Sequence, residues 1–270
     1  MRYSQIAGTG VNVSAIGFGT VKIGRDQGVK YPSSFTIPDD NSVRHLLRIC
    51  RKRGINLLDT APAYGRSEER LGALLAPGER QDWVISSKAG ETFDQRTGQS
   101  IFDFSEAAII ASVERSLRRL KTDYLDIVMI HSDGNDLKII EQDRALNTLE
   151  KLKQQGKIRA TGMSTKTIAG GIAALQQSDC AMVTYNLAHQ EELPVIEFAR
   201  EHQRGIFVKK AFASGHFNGA EYADPILASL QLIFAQANIN SAVIGTINPK
   251  NLISNLDKYL QALNNIDALC

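Results

Sequence analysis

Short, nearly continuous apolar runs alternate along this chain with longer stretches in which apolar residues return every third or fourth position. Runs of the first kind predict strands covered on both faces, and spacing of the second kind predicts helices with one buried side. The strands read as Val13 to Gly19, Asn56 to Asp59, Trp83 to Lys88, Leu125 to His131, Ala160 to Ser164, Ala181 to Thr184, Ile206 to Lys209 and Ala242 to Ile244. Between them, helical spacing covers Ser42 to Lys52, Ser67 to Leu75, Glu106 to Leu120, Ile139 to Gln155, Ile168 to Gln177, Pro194 to His202, Pro225 to Gln236 and Pro249 to Leu260. In the third of these, Ile109, Val113, Ser116, Leu117 and Leu120 make one stripe, while Glu114, Arg115, Arg118 and Arg119 are left for solvent. That is the pattern of a helix packed outside a sheet. Eight strand–helix pairs in about 250 residues predict a closed (β/α)8 TIM barrel of the α/β class rather than an open doubly wound sheet.

Ahead of the barrel, Met1 to Ile6 and Val11 to Ile16 flank Gly8 and Gly10 and read as a short N-terminal β-hairpin that caps the barrel floor. The connection from Lys22 to Asp40 mixes Gly, Pro, Ser and charge, and is expected to wall the opposite end. No Pro-, Gly- or Ser-rich linker divides residues 1–270, which read as a single domain.

Charge and cysteine usage narrow the function classes. With 31 basic and 29 acidic side chains, the net charge of +2 lacks the footprint of a nucleic-acid binder. Cys50, Cys180 and Cys270 are odd in number and far apart, which speaks against a disulfide framework or a zinc site, so no metal is expected. The amino-terminal residues have no apolar signal core, and no apolar stretch is long enough to span a membrane. A cytoplasmic protein is the expectation.

The chemistry-bearing residues fall at strand ends. Asn56-Leu57-Leu58-Asp59-Thr60-Ala61-Pro62-Ala63-Tyr64-Gly65 ends a strand with an acid and a phenol, Ile85-Ser86-Ser87 delivers Lys88, and Ile127-Val128-Met129-Ile130 delivers His131. Carboxyl-terminal strand ends are where parallel α/β enzymes hold their reactive groups. A phenol has an ordinary pKa of about 10. A lysine held charged by an aspartate would lower it, making Tyr64 a proton donor, with His131 donating a hydrogen bond to a substrate oxygen. Each residue alone has a plainer reading: a satisfied histidine, a surface lysine, an aspartate capping a helix. It is their joint placement at successive strand ends that points to a site.

These stretches, with Ile16-Gly17-Phe18-Gly19-Thr20, Asp123-Tyr124-Leu125-Asp126-Ile127 and Gly156-Lys157-Ile158-Arg159-Ala160-Thr161-Gly162-Met163-Ser164, resemble the aldo-keto reductase family over nearly the whole chain. The resemblance implies a barrel that reduces aldehydes or ketones to alcohols with a nicotinamide cofactor, NADPH favoured and NADH not excluded. It implies Tyr64 as general acid, supported by Asp59, Lys88 and His131. Ser164 and Thr165 would hold the nicotinamide carboxamide. Met182 stands where relatives often carry a glutamine, and Ala211 aligns with a position that is often a stacking aromatic, leaving Lys210 or Phe212 to compensate. The pyrophosphate and adenosine would meet Ser214, Gly245, Thr246, Lys250, Asn251 and Asn255, with Lys250 the nearest cation where relatives carry an arginine for the 2′-phosphate. Plain loop-and-helix chemistry accounts for that turn equally well.

The partner implied is a small carbonyl or alcohol substrate, with the chain a monomer or weak oligomer engaging neither nucleic acid nor membrane. Pocket walls are expected from the first loop, from Gly90 to Asp103 with Phe93, Phe102 and Phe104, and from Ser132 to Lys138. With Cys270 soon after the last helix, the carboxyl-terminal loop that narrows the pocket in many relatives is expected to be short or absent. Two alternatives stay open: a low-turnover cofactor-binding sensor or regulatory subunit, and a Schiff-base aldolase using Lys88.

Overall fold

The computed structural model describes residues 1–76, 78–216 and 222–268. Its strands are β1 (Tyr3–Gln5), β2 (Asn12–Ser14), β3 (Ile16–Gly19), β4 (Leu57–Asp59), β5 (Val84–Ala89), β6 (Glu91–Asp94), β7 (Gln99–Phe102), β8 (Leu125–His131), β9 (Ile158–Ser164), β10 (Cys180–Thr184), β11 (Gly205–Lys209) and β12 (Ile239–Ile244). Its helices are α1 (Asp40–Lys52), α2 (Ser67–Leu74), α3 (Glu106–Leu120), α4 (Asp136–Glu141), α5 (Ala145–Gln154), α6 (Ile168–Gln177), α7 (Leu193–Glu201), α8 (Pro225–Phe234) and α9 (Pro249–Asp267). β3, β4, β5, β8, β9, β10, β11 and β12 close in that order into a barrel, β12 pairing back onto β3, every pair parallel.

Strand alternation sorts the core in two. Leu57, Ile127, Met129, Ala160, Cys180, Met182 and Phe207 fill the barrel interior with Ile6, Val11 and Val13 from the β1–β2 hairpin, which therefore plugs the floor as expected. Their neighbours in sequence, such as Leu58, Val128, Met163, Ala181 and Val208, pack outward against the helices. Because successive side chains on a strand point to opposite faces, each inward row continues two residues at a time toward the mouth. Leu57 leads to Asp59, Ser86 to Lys88, Met129 to His131, Gly162 to Ser164, Met182 to Thr184 and Phe207 to Lys209.

Three elements depart from the sequence reading. The helix expected over Ile139 to Gln155 is two, α4 and α5, parted where Arg144 adopts a left-handed φ of 52° and Lys138 turns back to pair with Asp143. The run Val13 to Gly19 divides at Ala15, its first part joining the floor hairpin and the rest the barrel. The segment Gly90 to Asp103 holds a second hairpin, β6–β7, in which Glu91 pairs with Phe102 and Phe93 with Ser100. Of the aromatic walls expected there, Phe104 instead packs into the core beneath Gly90, whose φ of +100° brings its backbone against the ring. Cys50 and Cys180 are buried free thiols, and Cys270 lies outside the described residues. Among the described residues no helix is long and apolar enough to cross a membrane.

Candidate active site

At the carboxyl ends of β4 and β5, Lys88 Nζ donates to Asp59 Oδ1 at 2.7 Å, to Asp59 Oδ2 at 2.8 Å and to the Thr60 carbonyl at 3.0 Å. Ser86 Oγ adds a hydrogen bond to Asp59 Oδ1 at 3.2 Å. These contacts occupy the ammonium's donors, so Lys88 acts on Tyr64 chiefly through charge, its Nζ lying 4.9 Å from the centre of the phenol ring. Burial alone would lower the Lys88 pKa, but Asp59 and Tyr64 hold it above its ordinary value. An amine so firmly charged is a poor Schiff-base nucleophile.

The loop carrying Tyr64 is pinned from both sides. Thr60 N donates to the Ser86 carbonyl at 2.8 Å, Arg25 Nη1 to the Ala63 carbonyl at 2.9 Å and Arg66 N to the Gly24 carbonyl at 3.1 Å. Gly65, at a φ of +61°, passes so close to Gly24 that an added Cβ would lie 2.2 Å from its carbonyl oxygen. The Tyr64 pKa departs from expectation: burial pushes it up to about 12, and Lys88 offsets only part of the rise. Desolvation outweighs the cation, so the phenol enters the site fully protonated, as an acid must.

His131, at the end of β8, meets Tyr64 edge to face with ring centroids 6.1 Å apart. Its Nδ1 lies 2.7 Å from Glu91 Oε2, without the alignment of a formed hydrogen bond. Burial pushes the imidazole pKa below its ordinary value, Glu91 pulls it back up, and Lys88 and Lys209 add to the lowering. Burial works against ionisation of Glu91 too, but His131, Ser100 and Arg25 outweigh it and hold the carboxyl down at about 2. Ser100 Oγ donates to Glu91 Oε1 at 2.5 Å. Glu91 is not among the residues the sequence points to; it begins the β6–β7 hairpin.

Of the residues expected to hold a cofactor, Ser164 and Thr165 stand on the rim beside His131, whose strand pairs with theirs at Ser164. The cation that joins them is Lys209, not Lys210. Lys209 Nζ donates to Ser164 Oγ at 3.0 Å and to the Thr165 carbonyl at 2.5 Å, whereas Lys210 is exposed, with a left-handed φ of 53° that turns it off the strand. Met182 is buried in the barrel interior and Ala211 in the outer core, so neither offers a polar group or a ring to the rim. Thr165 Oγ1 is buried without a partner, an orphan that wants a ligand. A serine hydroxyl beside an ammonium, with an unpartnered threonine hydroxyl on the next residue, suits a carboxamide, which both donates and accepts.

Farther round the rim, Ser214 sits in a short turn at φ 57°, and Gly245 and Thr246 follow β12. Asn248 caps α9, its Oδ1 accepting from Lys250 N at 2.9 Å and Asn251 N at 3.4 Å. Those amides are therefore already engaged. The Lys250 and Asn251 side chains are exposed, and Asn255 is buried one turn along.

Closed parallel barrel, hairpin-plugged floor and an ion-paired lysine beside a tyrosine at the strand ends together define a class of barrel oxidoreductase. Residues 15–266 match the Aldo/keto reductase family, and the chain belongs to it. Within that family it is similar to a crystal structure from Pseudomonas aeruginosa assigned as an aldo-keto reductase, at 54% identity and a TM-score of 0.86, covering 97% of this chain and 95% of that one. It is 28% identical to the aldo-keto reductase YhdN of Bacillus subtilis (strain 168), over 100% of this chain and 76% of that protein. The holo form of an aldo-keto reductase from Bacillus halodurans shares the fold, with a TM-score of 0.80 at 24% identity over 98% of this chain and 96% of that one.

Proposed function

We propose that this chain reduces aldehydes or ketones to alcohols with NADPH or NADH, NADPH being favoured. The observation that carries this reading is the protonated Tyr64 phenol beside a Lys88 ammonium fixed by Asp59, on the same rim as His131 and the unpartnered Thr165 hydroxyl. A bound nicotinamide would supply the hydride to the carbonyl carbon. Tyr64 gives its proton to the carbonyl oxygen, and the phenolate left behind is stabilised by Lys88, whose charge Asp59 maintains. His131 orients the same oxygen by hydrogen bonding. Ser164 and Thr165 are assigned to the carboxamide, and Ser214, Gly245, Thr246, Lys250, Asn251 and Asn255 to the phosphate and adenosine end.

The test is loss of NADPH absorbance with a panel of aromatic and short aliphatic aldehydes, beside the Tyr64→Phe variant. Turnover that falls by about 10²–10⁴ while NADPH binding persists supports the assignment, and undiminished turnover refutes it. One observation favours a low-turnover sensor instead: buried Met182 offers no amide to the nicotinamide. That reading requires tight cofactor binding with no aldehyde of the panel turned over.

A further inference from the structure

Lys209 is a lysine that neither a core nor a surface explains. Its row on β11 is inward-facing, following Phe207 of the barrel interior, and its ammonium is half-buried at the mouth. Both of its hydrogen bonds end on neutral oxygens, Ser164 Oγ at 3.0 Å and Thr165 O at 2.5 Å. The carboxylates nearest in effect accept no hydrogen bond from it, although one oxygen of Glu192 is buried without a partner. Glu192 accepts from Thr184 N at 2.7 Å, and Asp136 accepts from Ser132 Oγ, Lys166 N, Thr167 N and Thr167 Oγ1. A positive charge is thus presented beside Ser164 and Thr165 without a direct ion pair, offset only through space by Glu192 and Asp136.

Resting on the reading that Ser164 and Thr165 hold a nicotinamide carboxamide, we infer that Lys209 makes this site prefer the reduced cofactor by setting a cation against the nicotinamide ring. The oxidised ring carries one positive charge and the reduced ring none. The two forms share every other group, so a charge near the ring separates them and leaves the adenosine and phosphate contacts common to both. The carboxamide is bonded directly to the ring, so an ammonium that shares its protein partner would act on the ring charge over a separation taken as roughly 6 Å. Repulsion at that range disfavours the oxidised form by about threefold with the screening of water and about a hundredfold with the screening usual for protein sites. Such a site takes up reduced cofactor readily and releases oxidised cofactor readily, which suits carbonyl reduction more than alcohol oxidation. The same ammonium offers the hydrogen bond that buried Met182 cannot.

The preference should depend on pH. Burial lowers the Lys209 pKa to about 8, with Glu192 and Asp136 raising it and Lys210 and Lys166 lowering it further. After burial and Lys88, the Lys209 ammonium also lowers the His131 pKa from across the mouth. Well below pH 8 Lys209 is an ammonium and the preference is full; the charge is halved near pH 8 and the preference fades above it.

Calorimetric titration of NADPH and NADP⁺ into the full chain at pH 7 and pH 9 tests this. The wild type should bind NADPH roughly tenfold or more tightly than NADP⁺ at pH 7, with the ratio shrinking at pH 9. Lys209→Met should bring the ratio near that of the wild type at pH 9 or lower. Lys209→Arg, which stays charged, should keep the preference at both pH values. A wild-type ratio retained in Lys209→Met, or an arginine variant whose preference fades with pH as the wild type's does, overturns the inference while the cofactor reading stands. Failure of the wild type to bind either nucleotide overturns the cofactor reading, and the inference with it.

Discussion

Asp59 and Lys88 form a buried ion pair whose value is mutual, and this can be measured without knowing the substrate. Their side chains are 6% and 1% exposed. Replacing Lys88 by Met removes three donor contacts and leaves Asp59 buried with Ser86 Oγ as its remaining donor among the described contacts. Removing one partner of a buried pair costs about 3–5 kcal/mol, because the other charge is left uncompensated. Asp59→Asn strands the ammonium in the same way, although the Thr60 carbonyl still accepts from it. At about 2–4 °C per kcal/mol for a chain of this size, each single variant should melt roughly 10 °C below the wild type. Asp59→Asn with Lys88→Met removes both charges and should cost little more than the milder single change, a coupling of about 2 kcal/mol or more against an additivity error of about 0.5 kcal/mol. Urea titration followed by far-ultraviolet circular dichroism gives the stabilities, and aldehyde-dependent NADPH oxidation by the same proteins gives the activities. Both should be non-additive, with the double variant about as inactive as Lys88→Met. Strictly additive losses in both would show that the residues act separately, and the account of how Lys88 is held charged would be wrong.

Other expectations follow from single contacts. Against the effect of burial, His131, Ser100 and Arg25 hold the Glu91 carboxyl down at about 2 against an ordinary 4.5, so its ionised form favours the folded state above pH 4.5 and that contribution is lost as pH falls toward 2. Glu91→Gln should be less stable than the wild type at pH 7, with the gap closing by pH 2 in acid-unfolding curves; a constant gap would show that the charge is immaterial. Gly65→Ala sets a Cβ against the Gly24 carbonyl at a left-handed φ, so it should cost more than about 1 kcal/mol and lower turnover by displacing Tyr64. Normal melting and normal turnover would contradict this. Lys250→Ala should weaken NADPH about tenfold more than NADH if its exposed ammonium meets the 2′-phosphate. Equal weakening of both, by calorimetry, would move the phosphate elsewhere.

The barrel was legible because its strands, covered on both faces, are written as short apolar runs, and because the residues that end them are polar enough to mark the rim. Asp59 and His131 end β4 and β8 and Lys88 lies one residue from the end of β5, so the site is readable as a row of endings. The break between α4 and α5 was not readable, since apolar spacing continues through it. It depends on Arg144 adopting a conformation that its residue type does not announce. The rise of the Tyr64 pKa was missed for a related reason: sequence shows which charges lie nearby but not how much water is excluded, and here desolvation is the larger effect.

The position of Lys209 is legible in the sequence through strand parity. Lys209 ends β11 and Lys210 follows it, and the family resemblance points to the second. Strand parity decides otherwise: Phe207 points inward, so Lys209 must, and Lys210 has already left the strand with a positive φ. The same count of two carries Leu57 to Asp59 and Met129 to His131. An inward residue at the mouth of a parallel barrel is surrounded by the ends of the other strands. A charged side chain there is therefore close to whatever binds the rim. What parity cannot show is the partner. Glu91 reaches His131 because it follows β5, whose Ala89 pairs with Ile130 of β8, a contact set by the pairing of strands whose meeting residues lie 40 positions apart in the chain.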